Sequence, residues 1–423
     1  MIIKNDADIS TADLRLDKLT YGGDAMGRLP DGRAVFVPFG LAGERVRIRL
    51  TEQKRGFARG ELLEVLEPSS QRIAPRCRHF GICGGCHYQH LAYEDQLAAK
   101  TEILRDQLTH IGKVENPPVK PMVASPMPWN YRNHVQFHLT REGRLGYVSA
   151  LTPNPSPSGR AGKVFPISEC HLPEEPLNDL WPQLEFEPGA EIERVSLRAG
   201  DELMLVLESE NDEPPALEVE AGISVVHLYA GHPVVMVGEG HLSMQLHGRE
   251  FQVSAASFFQ VNTAMAEKMV DHLLNKLPMA ADTILDVYCG VGLFSAFLAP
   301  RCKRLIGVES SASACEDFAV NLDEFDHVEL YEGMAEDVMP HLEAEPDLAL
   351  VDPPRAGLER DVLDSILKMK QRILAYVSCD PSTLARDAAR LIAGGYQLIE
   401  VTPFDLFPQT YHIESISLFQ RGP

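Results

Sequence analysis

The stretch from Ala281 to Cys379 constrains this 423-residue chain most, because apolar runs ending in a reactive side chain recur along it. Thr283-Ile284-Leu285-Asp286-Val287, Leu305-Ile306-Gly307-Val308-Glu309, Leu348-Ala349-Leu350-Val351-Asp352 and Ala375-Tyr376-Val377-Ser378-Cys379 each read as buried strands. Amphipathic helical patterns lie between them. That alternation implies a doubly wound parallel sheet, whose ligands sit beyond the carboxyl ends of the strands. Asp286, Glu309, Asp352 and Cys379 should therefore converge.

The turn after the first strand, Tyr288-Cys289-Gly290-Val291-Gly292, has two glycines that let a ligand approach the backbone where a helix begins. Glu309 ends the next strand and can hold ribose hydroxyls. A nicotinamide oxidoreductase has much the same layout, but Ser295 occupies the third glycine position of its fingerprint. Pro353 and Pro354 stiffen the backbone behind Asp352. Cys379 stands before a helix, with Asp380 as cap and Pro381 in the first turn. The positive helix end should lower the thiol's pKa and favour thiolate; the alternative is an inert buried cysteine.

Length suggests two or three domains, and a 44% hydrophobic share supplies real cores. The first residues lack a secretory pattern and no apolar run approaches a membrane span, so a soluble cytoplasmic protein is expected. Three of the eight cysteines, Cys77, Cys83 and Cys86, crowd together around Gly84 and Gly85. In a reducing compartment this reads as a metal site sooner than as disulfides. A fourth ligand must come from elsewhere, and Cys170 is the best candidate because Cys289, Cys302, Cys315 and Cys379 lie in a different segment. Zinc usually shows two paired knuckles and only one is present here. An iron–sulfur cluster tolerates three close cysteines and one distant one.

The formal net charge of −22 lowers the prior for nucleic-acid binding without excluding local basic surfaces. One such surface is Glu44-Arg45-Val46-Arg47-Ile48-Arg49-Leu50, where Val46, Ile48 and Leu50 alternate with three arginines, followed by Lys54, Arg55 and Arg59. From Leu14 to Glu67 short strands broken by Gly, Asp and Pro suggest a small barrel with an RNA-facing strand. A solvated outer strand face is the plainer alternative. Leu91–Ile111 has a helical pattern. Residues 117–240 return to extended stretches, including Tyr131–Leu139, with an exposed Pro/Ser/Gly-rich loop at Pro153–Gly162.

Tyr21-Gly22-Gly23-Asp24-Ala25-Met26-Gly27-Arg28, Val35-Phe36-Val37-Pro38 and Gly43-Glu44-Arg45-Val46 resemble the TRAM module, which implies a role in holding RNA. Ser257-Phe258-Phe259-Gln260-Val261-Asn262, Asp286 to Gly292, Asp352-Pro353-Pro354-Arg355, Ser378-Cys379-Asp380-Pro381 and Gln409-Thr410-Tyr411-His412-Ile413-Glu414 resemble the RNA 5-methyluridine methyltransferase family. With the barrel and the cysteines, the resemblance spans the whole chain. It implies S-adenosylmethionine as methyl donor, Cys379 as nucleophile on carbon 6 of uracil and Glu414 as the base that removes the carbon 5 proton. Gln260, Tyr288, Glu309 and Asp352 match cofactor or substrate positions, beside Gly290 and Gly292. Departures are Leu293, where many relatives carry Asn, and Asp380 in place of a common Asn.

The cysteine group resembles the ribosomal-RNA branch, and so implies a structural four-iron cluster on Cys77, Cys83, Cys86 and Cys170, with large-subunit ribosomal RNA as substrate. The expected architecture is a TRAM-like, OB-like β-barrel over 1–68, a β-rich central iron–sulfur domain over 69–262, and a Rossmann-like α/β methyltransferase domain over 263–423. Helix 91–111 is expected to pack on the catalytic domain, and a monomer is expected. Competing readings are a tRNA 5-methyluridine enzyme, a non-catalytic RNA-binding assembly factor and an amino-group methyltransferase, which would need no Cys379.

Overall fold

The computed structural model describes residues 11–149, 163–218 and 222–422; the Pro/Ser/Gly-rich stretch Pro153–Gly162 lies outside them. Five strands, β1 (Thr11–Leu19), β2 (Ala25–Arg28), β3 (Ala34–Val37), β4 (Arg45–Gln53) and β5 (Phe57–Glu67), form a closed barrel in the order β1-β2-β3-β5-β4. The alternation along β4 sends Val46 and Ile48 inward, where both are fully buried.

The arginines on its outer face are not free. Arg47 pairs with Asp13 of β1 at 2.9 Å and Glu64 of β5 at 3.0 Å, Arg49 with Glu61 at 2.6 Å, and Arg45 with Glu67 at 3.4 Å. The basic stripe expected on β4 is thus neutralised by acids on neighbouring strands. Reading one strand in isolation missed this, because cross-strand partners are far away in sequence.

Helix α1 (Tyr93–His110) follows, and its buried face carries Ile103, Leu104 and Leu108 together with Gln96 and Lys100. It packs between the barrel and the last helix of the chain, so one continuous core runs from Leu14 and Val46 through Leu104 to Leu285 and Leu384. The central sheet holds β6 (His134–Leu139), β7 (Leu145–Val148), β8 (Val164–Pro166), β9 (Arg194–Ala199), β10 (Leu203–Ser209), β11 (Ser224–Tyr229) and β12 (His232–Val237). Their order is β12-β11-β10-β9-β6-β7-β8, and a separate core forms around Phe137, Leu197 and Trp181 beside α2 (Glu175–Leu180).

A two-stranded ribbon, β13 (His241–Leu246) and β14 (Arg249–Ser254), shares its core with α3 (Thr263–Lys276). The C-terminal sheet contains β15 (Ala281–Val287), β16 (Cys302–Glu309), β17 (Val328–Glu332), β18 (Leu348–Val351), β19 (Ile373–Ser378), β20 (Tyr396–Phe404) and β21 (Glu414–Arg421). Between them lie α4 (Leu293–Leu298), α5 (Ala312–Asn321), α6 (Ala335–Val338), α7 (Arg360–Met369) and α8 (Pro381–Ala393). The order is β17-β16-β15-β18-β19-β21-β20, with β21 antiparallel to both its neighbours and the pairs from β17 to β19 parallel. This is a doubly wound α/β fold, and its strand order reverses between β15 and β18. Among the described residues no helix is long and apolar enough to cross a membrane.

Candidate active site

At the switch point the backbone leaves β15 through Tyr288, which adopts the left-handed conformation at φ 66°. Tyr288 and Cys289 stay hydrogen-bonded to the carbonyl of Val308, at 2.8 and 3.1 Å, so the turn is held against β16. Gly292 caps α4 at φ 87°, and a Cβ there would fall 2.4 Å from Leu322. Only glycine fits both demands. Gly290, at φ 55°, would meet no atom within 4 Å and therefore faces open space. The Glu309 carboxylate accepts from Gly290 N at 2.9 Å and from Ser310 N and Ser311 N at 2.7 and 2.8 Å.

Asp286 is buried beneath this turn. One carboxyl oxygen accepts from Ser295 Oγ at 2.6 Å, while the other has no partner. Burial pushes its pKa up to about 7, and the charges of Asp352 and Glu309 add to the shift. Asp352 follows β18 and is also pushed up to about 7, by burial and then by Glu309. Such a site is short of positive charge. An unpartnered buried oxygen, an open glycine shelf and paired raised carboxyls fit a cationic ligand with hydroxyls, which is the chemistry of S-adenosylmethionine.

Cys379 comes next round the sheet. The β19–β21 register pairs Ser378 with Ser415, so the next positions, Cys379 and Glu414, face one another at the strand ends. Burial raises the Glu414 carboxyl well above its ordinary range, with Asp352 adding to it and Arg355 opposing. The expected low-pKa thiol is not what the structure contains. Burial pushes Cys379 up to about 12, and the charges of Glu414, Asp352 and Asp380 act the same way against Arg355. Asp380 explains why the helix end gives no relief. Its Oδ1 accepts from Ser382 N at 2.8 Å and Thr383 N at 3.1 Å, so the free N–H groups of α8 serve the cap and not the thiol.

The other residues singled out in the sequence are tied to their surroundings by hydrogen bonds. Asn133 Nδ2 donates to the Gln260 carbonyl at 3.0 Å, and Asn262 caps α3 while donating to the Leu406 carbonyl at 3.2 Å. Ser257 Oγ lies 2.8 Å from Ser313 Oγ on α5, tying the loop to the segment after Glu309. Phe258, 69% exposed, was not singled out as a site residue, although its ring stands free two positions before Gln260. The half-buried Tyr288 ring packs into the core on the α7–α8 side.

Sequence reasoning also missed the strap on the loop before Glu414. Lys100 of α1, fully buried, donates to Asp405 at 2.6 Å and to the Phe407 carbonyl at 3.1 Å. Gln96 exchanges two hydrogen bonds of 3.0 Å with Gln409, whose φ is 69°. Polar residues on the apolar face of a helix were the available signal. The barrel reaches the same place, because Tyr21 Oη donates to Asp380 Oδ2 at 2.9 Å.

The four cysteines of the second cluster line one cavity of about 50 Å³, with Arg132 and Tyr147. Cys83 is reached through an isolated bridge to Ser149, and Cys170 through the loop after β8. Gly85 N and His79 N donate to Cys83 Sγ and Cys77 Sγ, each at 3.4 Å. Burial pushes Cys83 and Cys86 up to about 12 and raises Cys77 and Cys170. Among the described residues no three His, Cys, Asp or Glu side chains group closely enough for one metal ion.

Comparison with known proteins adds the following. The family model for tRNA (uracil-5-)-methyltransferase matches residues 235–422, and that of the TRAM domain matches 10–63. An uncharacterized RNA methyltransferase of Thermosynechococcus vestitus is 35% identical, over 97% of this chain and 98% of its own length. One from Aquifex aeolicus is 33% identical over 96% and 98%. In fold, the chain is similar to the tRNA (uracil-54, C5)-methyltransferase of Pyrococcus abyssi, solved with S-adenosyl-L-homocysteine. That TM-score is 0.73 at 23% identity, covering 96% of this chain and all of the other.

Proposed function

The chain belongs to the tRNA (uracil-5-)-methyltransferase family of RNA methyltransferases, and on that premise we propose that it methylates carbon 5 of a uridine in large-subunit ribosomal RNA. The observation that carries the chemistry is the β19–β21 register, which sets Cys379 opposite Glu414.

Carbon 5 of uracil is a poor nucleophile. The Cys379 sulfur adds to carbon 6, its proton passing to solvent or a neighbouring carboxylate, and the ring becomes an enolate at carbon 5. S-adenosylmethionine supplies the electrophilic methyl group and brings positive charge to the carboxyl-rich cleft. Asp286, Asp352 and Glu414 ionise more readily against that charge, which leaves Glu414 able to accept a proton. After methyl transfer Glu414 takes the carbon 5 proton, the 5,6 double bond reforms, and the carbon–sulfur bond to Cys379 breaks. Gly290, Gly292 and Glu309 would hold the nucleoside part of the donor, with Gln260 and Tyr288 at its border.

The ribosomal reading rests on the four-cysteine cavity. Cys77, Cys83, Cys86 and Cys170 would hold a four-iron cluster that shapes the RNA-binding half, in a monomeric cytoplasmic protein. The test is transfer of labelled methyl from S-adenosylmethionine to unmodified large-subunit ribosomal RNA and tRNA side by side, followed by digestion to nucleosides. Labelled 5-methyluridine from ribosomal RNA alone is expected. Label in tRNA alone overturns the substrate, and none in either, with anaerobically prepared protein, overturns the catalytic reading.

A further inference from the structure

A chain with a net charge of −22 that handles RNA needs a local place where cations are free. The barrel's β4 face is not that place, since Arg45, Arg47 and Arg49 are each paired with an acid. Arg76 differs. It is exposed, forms no ion pair among the described residues, and its guanidinium lies over the Trp129 ring at 5.3 Å from the centroid. His171 meets the same indole edge-on, with ring centroids 6.1 Å apart, and Met127 beside it is 52% exposed.

The position of this group matters as much as its chemistry. Asn130 N donates to the His171 carbonyl at 2.9 Å, and the Pro128 carbonyl accepts from Gln409 Nε2 at 3.4 Å. Trp129 is therefore held between the cysteine-bearing segment and the loop that leads to Glu414. An aromatic face with an unpaired guanidinium is what single-stranded nucleic acid uses for sequence-tolerant stacking, with the cation steering phosphate.

We propose that Trp129, with Arg76 and His171, is a stacking platform for a base of the RNA strand flanking the target uridine. This rests on the RNA-methylating reading above. Trp129 and Trp181 are the two tryptophans, and Trp181 is buried in the central core at 6% exposure, so base stacking on Trp129 can be read by fluorescence. Unmodified large-subunit ribosomal RNA and tRNA would each be titrated into wild type, Trp129→Phe, Trp129→Ala and Arg76→Gln.

Quenching in wild type that vanishes in Trp129→Phe is expected for the RNA that is methylated. Trp129→Ala should weaken its Kd about tenfold, and Arg76→Gln should lower the salt slope of binding by about one. Unchanged S-adenosylmethionine binding in each variant shows that the fold survives. RNA that is bound and methylated without quenching, or bound within twofold by Trp129→Ala, overturns the platform and leaves the methylation reading standing. Quenching without methyl transfer keeps the platform and removes that reading. Failure of both RNAs to bind overturns both.

Discussion

Two groups of half-buried thiols lie in this molecule, and the charges around them differ in balance. Cys379 sits among Glu414, Asp352 and Asp380, with Arg355 on the exposed side as its opposing charge. The cavity thiols have Arg132, which lowers Cys86 and Cys170, two backbone N–H groups aimed at sulfur, and the Glu169 carboxylate, which raises Cys77. Burial is the largest influence on Cys83, Cys86 and Cys379, and with their neighbours' charges each is pushed up to about 12. What separates the two sites is the number of carboxylates, three beside Cys379 against Glu169 beside Cys77. Thiolates that held a metal core would take their countercharge from that core and from Arg132. A thiol that reacts once per turnover can stay neutral among carboxyls and take its countercharge from a cationic co-substrate.

The sharpest way to break that comparison is to remove one thiol from each site. Cys379→Ala should lower methyl transfer about 10⁴-fold or more while leaving the iron and sulfide content of anaerobically purified protein unchanged. Cys86→Ser should do the reverse to the iron signal, losing the visible absorbance of a cluster. Loss of iron in Cys379→Ala, or a full cluster in Cys86→Ser, would show that the two groups were assigned wrongly. Glu414→Gln comes next, with turnover expected to fall about 10³-fold. Because attack by Cys379 does not need Glu414 as base, a methylated RNA–protein adduct should accumulate and shift the protein on a denaturing gel. A slow variant without adduct would move the proton to another residue.

Much of this site is legible in the sequence, because strand ends in a parallel sheet are predictable. Asp286, Glu309, Asp352 and Cys379 were each read at the end of an apolar run, and those runs are β15, β16, β18 and β19. The electrostatics were not legible. The low pKa expected for Cys379 weighed the positive end of α8 but not its cap, since Asp380 consumes the free N–H groups and adds a negative charge. The basic stripe on β4 failed for a related reason, since its counter-charges arrive from β1 and β5. Lys100 and Gln96 also escaped notice, because their partners Asp405 and Gln409 lie about three hundred residues away. Period and strand ends are local properties; the sign of a site is not.

The raised thiol has a direct chemical consequence. At pH 8 the Cys379 peptide should react with iodoacetamide about 50-fold more slowly than free cysteine, with the rate still climbing at pH 9. Peptide mass spectrometry after timed alkylation would measure it. Faster reaction than free cysteine would restore the helix end as the dominant influence and erase the contrast with the cavity.

The last and smallest effect concerns Asp286, whose raised pKa is also a statement about stability. Its folded-state value of about 7 lies above the ordinary 3.8, so the folded protein keeps a proton that the unfolded chain releases between about pH 4 and pH 7. The stability supplied by the neutral carboxyl is full below that window and is lost as pH rises through it. Asp286→Asn fixes the neutral form and can still accept from Ser295 Oγ. Without ligand, its advantage over wild type in urea unfolding should therefore grow by about 2 kcal/mol between pH 5 and pH 8. Saturating S-adenosylmethionine should shrink that growth, because the cleft then receives the charge it lacks. A pH-independent difference would mean that Asp286 already has a cationic partner, and the cleft would then resemble the cavity beside Arg132 instead of opposing it.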